Sequence, residues 1–198
     1  MAKLLIVGQG GIGSVLSGHL HALEEIEQIN DLHVTVCDDD LVELKNIKYQ
    51  NFGPEDVTDF KVESISARYG FKALNKKITS EEDLKGYDCI VSAVDNVKFR
   101  KLLFEFVDKN PKIYWIDLRS EGRSVAAFTK SKKNTLEKML ETLPKDGDDS
   151  EGGSCQLKFE LENNIIQQGN KIIAVIGSQM ILNWLRKETN MPEFIQNI

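Results

Sequence analysis

Leu4-Leu5-Ile6-Val7-Gly8-Gln9-Gly10-Gly11-Ile12-Gly13-Ser14 is the stretch from which the rest of the chain can be read. The continuous apolar run Leu4 to Val7 marks a strand buried on both faces, as in a parallel sheet. Beyond the glycines, Ile12, Leu16, Leu20 and Leu23 recur at spacings of four and three, the period of a helix with one apolar face. Leu32 to Val36 then reads as a second strand running into Asp38, so strand, glycine turn, helix and strand form a βαβ unit. Gly8-x-Gly10-x-x-Gly13 is the spacing of a nucleotide-binding turn. Its glycines allow a tight turn, close approach of backbone to phosphate, and packing of helix on strand. The helix that follows turns its partly positive amino end toward the same place. Asp38 closes the second strand about 25 residues further on, where a carboxylate can accept hydrogen bonds from a ribose diol. At this point NAD and ATP fit equally well.

Further along, Asp38 to Phe52 is polar and irregular, and Lys61 to Tyr69 reads as a helix. Asn75 to Thr79 is expected as a third strand. Cys89 to Val94 is another buried strand, ending in Asp95-Asn96. A helix is expected over Val97 to Asp108, stopped by Asn110-Pro111. Ile113 to Asp117 and Ser124 to Thr129 read as strands on either side of a turn-like Arg119-Ser120-Glu121-Gly122-Arg123. After a short helix at Thr135 to Leu143, residues 144–154 have the composition of a flexible acidic, glycine-rich loop. A last helix starts at Asn170, a residue suited to an N-cap, and carries Ile172, Ile173, Ile176, Met180 and Trp184 on its apolar side. Strands alternating with helices define an α/β chain with a Rossmann-like, doubly wound, mainly parallel sheet and helices on both faces. Residues 1–198 read as one nucleotide-binding domain.

Composition narrows the function. The chain has 198 residues, close to one domain at ~150 residues per domain. Apolar residues make up 41% and charged residues 28%, ordinary for a globular protein. A net charge of -6 and a pI near 5.2 argue against nucleic acid as partner. With no apolar run of ~18 residues, no membrane span is expected, and the amino terminus lacks a signal-peptide pattern, so a cytoplasmic location is expected. Cys37, Cys89 and Cys155 form no C-x-x-C pair and no cluster with His19, His21 and His33, so neither a disulfide framework nor a structural zinc is expected.

Asp38, Asp40, Val42, Glu43, Asn46 and Gln50, then Asp56 and Lys61, then Asp95-Asn96 at a strand end, decide between the nucleotides. In that order and spacing they resemble the MoeB/ThiF/HesA family, adenylyltransferases related to ubiquitin-activating enzymes. The match is dense from Leu4 to Asp95 and loose beyond. The resemblance implies ATP and Mg²⁺ as cofactors. It also implies adenylation of the C-terminal glycine carboxylate of a ubiquitin-like or sulfur-carrier protein, by a homodimer. Lys61 would offset phosphate charge and Asp95 would hold Mg²⁺, a hard cation that prefers oxygen ligands. Gly8, Gly10, Gly11, Gly13, Asp38, Asp40, Asn46 and Gln50 would surround the nucleotide.

This chain departs from the family pattern in places. Tyr49 stands where the family has an arginine, and tyrosine offers no charged, forked donor. Lys48, Arg119 and Arg123 are the candidates to replace it. The family's N-terminal helix, which lends an arginine to a neighbouring subunit, and its two C-x-x-C zinc pairs are not found in the sequence. Cys155, in Gly152-Gly-Ser-Cys155-Gln156, falls in the region where thioester- or persulfide-forming relatives keep a cysteine. Two rival readings remain: a non-catalytic relative that binds nucleotide or carrier as a scaffold, and an NAD-dependent oxidoreductase. All three histidines lie before residue 34, which leaves the oxidoreductase without a histidine proton donor near the turn's far side.

Overall fold

The structure is a computed structural model, and it describes residues 1–144, 162–163 and 165–198. Its strands are β1 (Ala2–Val7), β2 (Leu32–Cys37), β3 (Lys72–Leu74), β4 (Cys89–Ser92), β5 (Tyr114–Glu121), β6 (Ser124–Thr129) and β7 (Glu193–Asn197). Its helices are α1 (Gly13–Glu25), α2 (Lys61–Tyr69), α3 (Val97–Lys109), α4 (Leu136–Glu141) and α5 (Gly169–Leu185). The strands form one sheet in the order β3-β2-β1-β4-β5-β6-β7. β3 through β5 run parallel, and β6 and β7 return antiparallel. No helix among the described residues is long and apolar enough to cross a membrane.

The apolar run of β1 divides between the two faces as strand geometry requires. Leu4 and Ile6 enter a core with Leu16 and Leu20 of α1, Ile65 of α2, and Ile173 and Ile181 of α5. Leu5 and Val7 enter a second core with Phe99, Leu103 and Phe106 of α3 and Met139 of α4. Helices therefore cover both faces, which is why Leu4 to Val7 of β1 and Cys89 to Val91 of β4 read as unbroken apolar runs. The element ends follow local chemistry. Gly70 at φ +73° closes α2, its N–H donating to Ser66 O at 2.8 Å. Asn96 caps α3, its Oδ1 accepting from Phe99 N at 3.0 Å.

Four expectations change. The third strand is Lys72–Leu74, paired with Thr35–Cys37, and not Asn75 to Thr79. Asp83 draws that later segment off the sheet: its Oδ2 accepts from Thr79 N and Ser80 N, both at 3.2 Å, while its Oδ1 pairs with Lys76. Arg119 to Glu121 are strand, not turn, because β5 and β6 form a hairpin with Glu121 opposite Ser124 and Gly122 at φ +56° between them. β7 was not expected at all, and it pairs along β6 at the sheet edge. Asn170 is not an N-cap. Gln168 holds that position without a side-chain hydrogen bond, and Asn170 lies inside the first turn of α5.

The Lys76 ammonium, and then the backbone N–H groups of Thr79 and Ser80, hold the Asp83 carboxyl down to about 2, below the carboxylate's ordinary value of 3.8. A carboxyl whose folded value is depressed contributes stability that is present above the unfolded value and lost as pH falls through the folded one. Wild type is therefore expected to melt higher than Asp83→Asn at pH 7, and the difference is expected to vanish between pH 4 and pH 2. Paired thermal melts across that range check it.

Candidate functional site

From β1 the strand order runs outward through β2 to β3, then resumes on the other side at β4. The crevice beyond the carboxyl ends of the strands at such a reversal is where open α/β sheets bind ligands. A cleft of about 360 Å³ opens there. Gly8, Gly10 and Gly11 line it from the turn after β1, Asp38, Asp39 and Asp40 from the end of β2, and Asp95 and Asn96 from the end of β4. Asn46, Tyr49 and Gln50 close it from the segment between β2 and α2, and Lys61 from the start of α2.

The glycines of the turn do different work. Gly8 sits at φ +90°, and a Cβ there would lie 2.7 Å from Ala93 O. Gly13 does not line the cleft. A Cβ on it would fall 1.8 Å from Gly8 O, so this glycine lets α1 start directly against the turn. Gly10 is the open one: its Cβ position meets nothing nearer than Gln50 Nε2 at 4.0 Å. That is the face onto which a phosphate can settle.

Asp38 is fixed by backbone donors. Its Oδ2 accepts from Gln9 N at 2.5 Å and its Oδ1 from Asp40 N at 2.9 Å. Burial raises its carboxyl above the ordinary value, opposed by Lys61 and by those two N–H groups. Lys61, the first residue of α2, has a side chain only 7% exposed, and its Nζ lies 2.7 Å from Asp40 Oδ2. Its own N–H donates to Asp40 O at 3.0 Å. A buried cation at a helix amino end opposes the helix dipole. The fold tolerates it there because a bridge between Leu41 and Phe60, with Val42 N to Asp59 O at 2.8 Å, clamps the two segments together.

The segment between is tied down in turn. Asp56 accepts from Gly53 N at 2.7 Å and pairs with Arg68 at 2.5 Å. Asn51 N donates to Ser14 Oγ at 3.0 Å, which fixes the segment against α1. Asn46 is buried: its Oδ1 accepts from Glu43 N at 2.9 Å, and its Nδ2 donates to Tyr49 Oη at 3.3 Å. Gln50 keeps its Oε1 buried and without a partner.

Asp95 is exposed at the cleft wall, and no described residue pairs with its carboxylate. The carboxylates of Asp38, Asp39 and Asp40 also lie within 4.8 Å of one another. Asp38 is already engaged by two backbone N–H groups and Asp40 by Lys61, so a free carboxylate at the strand end suits Mg²⁺ better.

None of the three candidates to replace the missing arginine lines the cleft. Arg119 donates to buried Asp117 at 2.6 Å and to Thr142 O and Oγ1, both at 2.9 Å, and Arg123 donates to Ile198 O. Asp117 also takes Arg100 Nε at 3.1 Å, and Arg100 reaches Val94 O, next to Asp95. Lys45, Lys76 and Lys77 do line the cleft, and the sequence reading passed over them. Lys76 and Lys77 follow β3, whose position was misread, so their place at a strand end could not be seen. Cys155 lies outside the described residues. Cys37 and Cys89 are buried in strands, and burial, then Asp38, pushes the Cys37 thiol up to about 12.

The ThiF family matches residues 1–198. This chain belongs to the ThiF family. Among curated proteins, this ThiF-family chain is 29% identical over 141 residues to molybdopterin-synthase adenylyltransferase of Haemophilus influenzae, covering 65% of this chain and 55% of that one. The chain thus spans little more than half the length of that relative. Among solved structures, the tRNA N6-threonylcarbamoyladenosine dehydratase TcdA of E. coli superposes with a TM-score of 0.66 at 17% identity, over 94% of this chain and 86% of that one. MccB of E. coli, solved with ATP, gives 0.65 at 19% identity, over 99% and 63%. PaaA gives 0.69 at 16%, over 100% and 61%. At these identities the likeness is one of fold.

Proposed function

We propose that this chain binds ATP with Mg²⁺ in the cleft and adenylates the C-terminal glycine carboxylate of a ubiquitin-like or sulfur-carrier protein. The observation that carries the reading is the arrangement around the turn: Gly10 is open to the cleft, with Lys61 buried in one wall and Asp95 free in another. The adenylyltransferase among its relatives supports it.

The substrate carboxylate oxygen forms a bond to the α-phosphorus, the bond from that phosphorus to the bridging oxygen breaks, and pyrophosphate leaves with both electrons. Negative charge grows on the departing phosphates. Lys61, held in place by Asp40, supplies a fixed positive charge there, and the turn's backbone N–H groups supply partial ones. Asp38 receives the ribose hydroxyls. Asp95 would hold Mg²⁺, which supplies further neutralisation of the phosphate oxygens when bound.

Tyr49 favours a second reading. No arginine among the described residues lines the cleft, and Tyr49 occupies the family's arginine position. A scaffold that holds nucleotide without turning it over is consistent with this. Incubation with Mg-ATP and a carrier protein ending in Gly-Gly separates the two. The adenylyltransferase releases pyrophosphate only when the carrier is present, whereas the scaffold binds ATP and releases none.

A further inference from the structure

Two helices turn their amino ends toward the glycine turn: α1, starting at Gly13, and the 17-residue α5, starting at Gly169. Asn170, in the first turn of α5, fills the space beside Gly11. A Cβ on Gly11 would lie 2.2 Å from Asn170 Nδ2. Asn170 is 1% exposed, and neither its Oδ1 nor its Nδ2 has a hydrogen-bond partner. A buried amide without partners is costly, and an apolar side chain of the same size would avoid the cost. Local rules are broken in this way where function asks for it. On the Gly10 side of the turn, Gln50 presents its Nε2 4.0 Å from where a Gly10 Cβ would sit, while its Oε1 is left without a partner.

We infer that Asn170 is a positioning residue for the phosphate-holding turn. When phosphates draw the N–H groups of the turn toward the cleft, the peptide groups around Gly11 rotate. The Asn170 amide, donor and acceptor both free, then pairs with them from behind and holds them in place. Asn170 touches the turn and not the nucleotide, and the inference rests on the cleft's being a nucleotide site.

Titration calorimetry of the full chain with Mg-ATP and with adenosine, alongside melts of the ligand-free protein, tests it. Asn170→Leu is expected to melt at or above wild type yet bind Mg-ATP at least tenfold more weakly. Adenosine affinity is expected to stay within twofold, because adenosine has no phosphate to draw the turn. Asn170→Ala, which loses packing and melts lower, is expected to show the same selective loss well below its melting temperature, and it decides the matter alone should the leucine variant not fold. Mg-ATP and adenosine weakened in parallel, or Mg-ATP bound as in wild type, would overturn the role of Asn170. A wild-type chain that binds no Mg-ATP would overturn the nucleotide site itself.

Discussion

Lys61→Met is expected to slow adenylate formation by about 100- to 1,000-fold, the usual loss when one preorganised charge is removed from developing negative charge. The fold is expected to survive the change. The lysine stem is buried and methionine replaces its volume; of the two acids it faces, Asp40 has a side chain 67% exposed and can be solvated, and Asp38 keeps its two backbone N–H donors. A cation at the start of α2 also works against the helix dipole. The melting temperature is therefore expected to hold or rise slightly as activity collapses. Pyrophosphate release and thermal melts on the same preparations read both effects. Equal losses of activity and stability would instead make Lys61 a structural ion-pair partner. Lys61→Arg is not expected to rescue, since a forked guanidinium does not fit a side-chain site 7% exposed.

The second large effect falls on the turn and depends on which glycine is changed. Gly13→Ala places a Cβ 1.8 Å from Gly8 O, a backbone atom that cannot give way without moving α1 from the end of β1. A cost of about 3 kcal/mol or more is expected, which lowers the melting temperature by roughly 6–12 °C for a domain of this size. Gly10→Ala adds the same methyl where nothing lies nearer than 4.0 Å. Its melting temperature is expected to stay close to wild type, and Mg-ATP affinity to fall at least tenfold, because the methyl occupies the phosphate's approach. Melts and calorimetry on the two variants test the division of labour. A Gly10→Ala chain that binds ATP normally would show that phosphate does not use this face.

The parts of the fold that were legible in the sequence are those set by local chemistry. β1 and β4 declare themselves through unbroken apolar runs buried from both sides. α2 begins and ends where read, at Lys61 and Tyr69, because Gly70 stops it. The misread elements depend on distant partners. β7, Glu193–Asn197, is short and mostly exposed, without an alternating apolar pattern, and its pairing with β6 makes it a strand. β3 is three residues long, and its place is fixed by β2 and by Asp83, which draws the following chain off the sheet. Asn170 has an N-cap's identity but not its position.

The candidate site follows the same division. Gly8, Gly10, Asp38, Asn46, Gln50, Lys61 and Asp95 were read from linear order, and the fold brings them to one cleft, with Gly13 set back from it against Gly8. The direction of Arg119 was not legible, because it was read as turn and not as strand, where Asp117 two residues back shares its face, and because Thr142 is brought to it by tertiary packing.

Thermal unfolding with Mg-ATP, with NAD and without ligand, on wild type and Asp95→Asn, tests the nucleotide assignment most directly. A ligand at about 100 times its dissociation constant adds ~2.7 kcal/mol, or roughly 5–10 °C in midpoint at this chain length. The account predicts that shift with Mg-ATP, a smaller one in Asp95→Asn, and none with NAD. Stabilisation by NAD alone, or by neither ligand, would contradict it.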